Sequence, residues 1–145
     1  MISTRLWWSF PTETVNDAEL SLASQDRLHF DLDDWRTLKF FFYMTDVNQD
    51  AGPFAYVKGS HRRHDRRHQW TMLCGHPNEE VLAIYGAQNL FQVIGGPGSG
   101  IIVDPFGFHM GIRPKSSPRL MLETGFGISQ ALRRRFYGEA MPHRS

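Results

Sequence analysis

The first side chains in this sequence whose types and spacing suggest chemistry are His29 and Asp31, separated by Phe30. On an extended strand residues i and i+2 share a face, so the imidazole and the carboxylate point together while Phe30 packs outward. An imidazole and a carboxylate are two of the three ligands of a facial 2-His-1-carboxylate set, which holds Fe(II) and leaves coordination positions open. A second histidine is then required. The best candidate is His109, which closes the largely apolar run Asp104-Pro105-Phe106-Gly107-Phe108-His109, where a solvent-seeking imidazole has no obvious purpose. Arg119 follows ten residues later, across Gly111, Pro114 and Pro118, a spacing that suits the adjacent antiparallel strand. A guanidinium offers a planar fork of donors that matches a carboxylate bidentately. It could hold the distal carboxylate of 2-oxoglutarate while the keto-acid end chelates the metal. Two histidines and an aspartate with a water would also suit tetrahedral zinc in a hydrolase. Arg119 and the lack of an H-E-x-x-H pattern count against that alternative.

Such a site needs strands to present it, and the sequence supplies them. Strand-like runs cover residues 5–10, 20–31, 38–47, 54–57, 89–94, 100–104, 106–109 and 120–128, divided by turn formers such as Ala51-Gly52-Pro53 and Gly95-Gly96-Pro97-Gly98. Asn78-Glu79-Glu80, with Val81, Leu82, Ile84 and Tyr85 before Gly86, has the acidic first turn and glycine stop of a short helix. That helix is expected to cover one mouth of a barrel. Residues 60–69 read as helix or loop, and a polar tail occupies residues 131–145. No repeat or linker divides residues 1–145, so one domain is expected, all-β, as a jelly-roll or cupin-like antiparallel barrel with one or two short helices.

Composition narrows the function classes. The 145 residues carry 16 basic and 15 acidic side chains, a formal charge of +1 that steers the chain toward neither nucleic acid nor an anionic membrane. A single cysteine excludes an intrachain disulfide and any zinc site of several thiolates. No apolar run reaches the ~18 residues of a membrane span, and the expected location is the cytoplasm.

Four ordered blocks carry a resemblance: QDRLHFDLDD (25–34), KFFFYMTDV (39–47), GPFAYVKGSH (52–61) and GSGIIVDPFGFHMGIRPKSSPR (98–119). Together they resemble the phytanoyl-CoA dioxygenase-like family of Fe(II)/2-oxoglutarate oxygenases, over about residues 5–130. The resemblance implies a double-stranded β-helix, with His29, Asp31 and His109 as iron ligands and Arg119 as the 2-oxoglutarate anchor. It implies further that 2-oxoglutarate and dioxygen are consumed, that 2-oxoglutarate leaves as succinate, and that a small organic substrate is hydroxylated. In related halogenases the carboxylate position is a small residue that frees a site for halide, so Asp31 favours hydroxylation. Several relatives place a hydroxyl two residues after the distal histidine to assist the arginine; Gly111 stands there in this chain.

Three further features complete the expectations. His61 matches a family turn near the pocket, as a substrate contact or as a turn-stabilising group. The stretch from His61 to His68, with Arg62, Arg63, Arg66 and Arg67, is either a lid that holds an anion or a solvated surface loop, and a zinc site on His61, His64 and His68 lacks a supporting carboxylate. Tyr43 could assist Arg119 if it points inward, or be a core tyrosine with a satisfied hydroxyl. Only 28 residues precede His29, whereas family members carry a longer N-terminal region that buttresses one sheet. One sheet face is therefore expected to be exposed and apolar unless a second copy covers it. The alternative to an active oxygenase is a catalytically silent or truncated barrel that binds metal and ligand.

Overall fold

A computed structural model describes residues 2–11, 26–32, 36–62, 64, 65, 68 and 75–128. Among the described residues the strands are β1 (Ile2–Ser9), β2 (Thr37–Tyr43), β3 (Phe54–Val57), β4 (Leu90–Val93), β5 (Gly100–Val103), β6 (His109–Gly111) and β7 (Arg119–Gly127), with one α-helix, α1 (Asn78–Tyr85). They form two antiparallel sheets, one ordered β1-β7-β2-β5 and one ordered β4-β3-β6. The inner faces meet in a core of Phe41, Tyr43, Val103 and Met121 from the first sheet against Phe54, Tyr56 and Val93 from the second. This is the jelly-roll architecture that the strand count and turn spacing predict. Among the described residues no helix is long and apolar enough to cross a membrane.

The two sheets differ in what lies behind them. The central strand of the three-stranded sheet, β3, is buried on both faces, all four of its residues included. The sheet's outer face packs Ala55, Val57, Phe108 and Met110 with Leu28, Phe30 and Val81 into a second core, each such side chain contributing about 1.5–3 kcal/mol where large and fully buried. Val81 comes from α1, so the helix covers a sheet face and not, as expected from sequence, a barrel mouth. Among the described residues the four-stranded sheet has no such cover. Leu6, Trp8, Leu38, Phe42, Ile102 and Phe126 alternate with its inward residues and are 37–61 % exposed. Among the described residues these side chains make an exposed apolar face. Folded protein should bind an apolar fluorescent dye at neutral pH, and Leu6→Lys with Ile102→Lys should lower that signal without lowering the melting temperature; an unchanged signal would place the dye elsewhere.

Several boundaries depart from expectation. Of residues 20–31, those described do not form a regular strand: His29 meets β6 through an isolated bridge to His109, and Leu28 makes a second isolated bridge to His76. Asp26 at their start has a left-handed backbone (φ 56°), which an aspartate tolerates better than most residues, and its side chain accepts from the Arg113 amide. Residues 104–107 are a turn and not strand, because Asp104 Oδ1 accepts from the Phe106 amide and its carbonyl from the Gly107 amide. β2 stops at Tyr43, since Asn48 caps the 3-10 turn Gln49–Ala51 and Gly52 beyond it takes φ 71°, where a Cβ would lie 2.3 Å from the Ile112 carbonyl. Ser60–Arg62 is a 3-10 turn. The expected tail at 131–145 lies outside the described residues, as do Arg63, Arg66 and Arg67.

A candidate metal centre between the sheets

Three devices hold the His29 segment in place. The bridge to β6 is reciprocal, with the His29 amide donating to the His109 carbonyl at 3.0 Å and the His109 amide to the His29 carbonyl at 2.8 Å. Asn78, first residue of α1, accepts from the Leu28 amide at 2.9 Å and donates to the Asp26 carbonyl at 2.8 Å. The Asp31 amide donates to the Pro105 carbonyl. Side-chain alternation then sends Phe30 into the second core, edge-on to Phe106 and Phe108, and turns His29 and Asp31 to the inner side.

There the predicted ligands converge. One ligand atom from each of His29, Asp31 and His109 lies within 4.8 Å of the others. His109 Nε2 is 3.5 Å from Asp31 Oδ2, and His29 Nε2 is 3.9 Å from Asp31 Oδ1. Both rings are oriented alike: Nδ1 of His29 lies 3.1 Å from the Arg27 carbonyl and Nδ1 of His109 lies 2.9 Å from the Gly107 carbonyl. An Nδ1 that donates to a carbonyl leaves Nε2 as the lone pair for a metal. Three donors on one octahedral face stand about 3 Å apart when metal bonds are ~2.1 Å. A small inward shift of the side chains therefore fits a divalent ion. Gly107 is required for this geometry, since a Cβ there would fall 2.0 Å from the Tyr56 hydroxyl, which donates to the Asp104 carbonyl.

The electrostatics suit a metal. Burial, reinforced by the charge of His109 and opposed by Asp31, pushes the His29 pKa down to about 4, so the ring is neutral at pH 7. Burial alone would raise Asp31, but the hydrogen bond and charge of His109, with the charges of Lys39 and His29, hold it well below the usual carboxylate range. One prediction concerns pH. Below its ordinary pKa of 6.5 the unfolded chain protonates this histidine while the folded protein does not until about pH 4, so stability of the metal-free protein falls as pH drops through that window, by about 3 kcal/mol for His29. Burial also lowers His64 and His76, which adds in the same direction. Denaturant midpoints at pH 7 and pH 5 measure the effect; equal midpoints would contradict it.

Sequence reasoning missed Lys39. Its side chain is 3 % exposed, and Nζ sits 2.5 Å from Asp31 Oδ2 and 3.8 Å from Glu123 Oε1. Glu123 in turn accepts from Arg5 at 2.6 Å. A chain of alternating charges thus runs along the inner sheet face to the Asp31 carboxylate and fixes its orientation. The signal was present in the pattern: Lys39 shares its strand face with Phe41 and Tyr43, a parity that buries it. Tyr43 is committed, its hydroxyl donating to the Val93 carbonyl at 2.7 Å and accepting from the Phe54 amide at 2.8 Å.

Arg119 opens β7 on the same inner face and is 1 % exposed. A Cβ on Gly111 would lie 3.3 Å from its Nη2, so the guanidinium reaches the strand that carries His109. His61 is half-buried, with Nδ1 3.4 Å from the Tyr56 hydroxyl. The basic stretch is not a uniformly solvated loop: His64 and His68 are buried, stacking on Phe106 and meeting Phe108 edge-on. A cleft of about 660 Å³ adjoins Asp31, walled by Leu32, Leu38, Pro105, Phe106, Phe126 and Ile128, with Arg36 and Asp104 among its polar members. His61 is not in that wall.

With this geometry in view, comparisons with known proteins are informative. The family model described as Phytanoyl-CoA dioxygenase (PhyH) matches residues 3–117. No curated protein matches the chain. Among solved structures it is similar to the non-heme alpha ketoglutarate dependent carbocyclase SnoK from nogalamycin biosynthesis, at 18 % identity and TM-score 0.58 over 97 % of this chain and 58 % of that one. It is similar to EctD from S. alaskensis with bound Fe, at 19 % identity and TM-score 0.60 over 96 % of this chain and 53 % of that one. It is also similar to EvdO2 from Micromonospora carbonacea var. aurantiaca complexed with 2-oxoglutarate, at 15 % identity and TM-score 0.59 over 87 % of this chain and 51 % of that one. The chain spans a little over half the length of these structures, and the likeness shows a shared fold.

Proposed function

The chain belongs to the phytanoyl-CoA dioxygenase family, and on that footing we propose that it is an Fe(II)- and 2-oxoglutarate-dependent oxygenase that hydroxylates a small organic molecule. The observation that carries the reading is the convergence of His29, Asp31 and His109 on one point between the sheets. His29 and His109 would hold iron through Nε2 and Asp31 through one oxygen, with Lys39 keeping the other oxygen oriented. Arg119 would hold the distal carboxylate of 2-oxoglutarate by charge-assisted hydrogen bonds. Iron and 2-oxoglutarate, when bound, supply the oxidative decarboxylation to succinate and the hydroxylation of a C–H bond by dioxygen. The protein's part is to place substrate and keep water out. Substrate contact is assigned to the cleft beside Asp31, whose volume suits a small molecule and whose walls suit an apolar body.

Because Asp31 fills the carboxylate position, hydroxylation is proposed over halogenation. With Fe(II), 2-oxoglutarate and dioxygen the protein should form succinate, slowly alone and faster with a substrate from a metabolite pool. A second reading, a barrel that binds metal and ligand without turnover, draws on the uncovered face of the four-stranded sheet. It predicts the same binding with no succinate under any condition.

A further inference from the structure

The surroundings of Arg119 are unusual for a buried cation. Arg5 and Arg113 each meet a carboxylate, Glu123 and Asp26. Arg119, 1 % exposed, meets none among the described residues. Its Nη1 donates to the Ile112 carbonyl at 3.4 Å and its Nη2 to Ser9 Oγ at 3.3 Å, both long, and its Nε has no partner. Burying a guanidinium with donors unsatisfied is costly, and an anion is the ligand that would offset that cost.

Ser9 is the side-chain hydroxyl at that point. It pairs directly with Arg119 across the β1–β7 ladder and is 4 % exposed, so its position is set by backbone hydrogen bonds. Its oxygen accepts from Arg119, which leaves the hydroxyl proton free to donate, and no described residue accepts it. Two other positions abut the guanidinium without offering a donor. Gly111 has no side chain, and the Tyr43 hydroxyl already donates to Val93 and accepts from Phe54.

We propose that Ser9 is a binding residue for the distal carboxylate of 2-oxoglutarate, its hydroxyl donating to the same anion that Arg119 holds. The inference rests on the oxygenase reading above and supplies from β1 the hydroxyl that Gly111 does not. A carboxylate has lone pairs for both donors at once, and both donors are shielded from water, where such bonds are strongest.

Anaerobic calorimetric titration of Fe(II)-loaded protein tests this with two ligands, 2-oxoglutarate and 2-oxobutanoate, which chelates through the same keto-acid end and lacks the distal carboxylate. Ser9→Ala is expected to weaken 2-oxoglutarate about tenfold and leave 2-oxobutanoate unchanged, with Ser9→Thr retaining most of the affinity. Should the alanine protein not fold, Ser9→Cys, of similar size and a weaker donor, is expected to show the same selective loss. Unchanged 2-oxoglutarate affinity, or equal weakening of both ligands, would overturn the role of Ser9 alone. Wild-type protein that takes up Fe(II) but neither keto acid would overturn the oxygenase reading and this inference with it.

Discussion

Asp31→Ala is expected to abolish iron binding and all succinate formation, and to destabilise the metal-free protein by about 3 kcal/mol. The first effect follows from geometry: in the proposed centre the aspartate is the anionic donor between two imidazoles, and His29 and His109 alone cannot define one face of a coordination sphere. The second follows from what stands behind the carboxylate. Lys39 is 3 % exposed at 2.5 Å from Asp31, and it stands farther, at 3.8 Å, from Glu123, which already serves Arg5. Breaking one link of a buried charge chain costs far more than losing a surface pair. Asp31→Asn keeps the volume and one oxygen acceptor, so it should lose iron with a smaller loss of stability. Metal content after dialysis and denaturant midpoints of the metal-free variants separate the two effects. An Asp31→Ala protein with wild-type iron content would show the ligand assignment to be wrong.

Arg119→Leu should move stability and binding in opposite directions. The arginine is buried with an unpartnered Nε and, among the described residues, no carboxylate, so an apolar side chain in its place removes a charge that none of them compensates. The metal-free protein is expected to become more stable by about 1–4 kcal/mol. Its affinity for 2-oxoglutarate should fall by about ten- to a hundredfold, the worth of hydrogen bonds to a charged group, while Fe(II) binding stays as it was. A residue kept against stability is the signature of a binding function. If Arg119→Leu were both less stable and equally able to bind 2-oxoglutarate, the arginine would be a structural element of β7.

Much of this site was legible in the sequence because strand alternation is a strict rule. Once His29 and Asp31 share a face, Phe30 cannot, and the structure puts it in a different core. The same rule, carried along β2 and β7, places Lys39 with Phe41 and Tyr43, and Glu123 with Arg119 and Met121. What obscured Lys39 was its type, since a lysine in a strand is by default a solvated residue. Other features depend on contacts remote in sequence. Asn78 clamps the backbone at Asp26 and Leu28 from fifty residues away, and α1 lies over a sheet face that nothing in its own residues names. The burial of His64 and His68 was hidden among arginines, because the neighbours that bury them, Phe106 and Phe108, belong to the turn before β6.

In the proposed oxygenase His29, Asp31, His109 and Arg119 form one centre that takes Fe(II) and 2-oxoglutarate together. Its most direct test is optical. Adding 2-oxoglutarate to the anaerobic Fe(II)-loaded protein should produce the visible charge-transfer absorption of a keto-acid chelate, in proportion to protein, and Asp31→Ala should not produce it. Folded wild-type protein with iron and 2-oxoglutarate present and no such absorption would contradict the account.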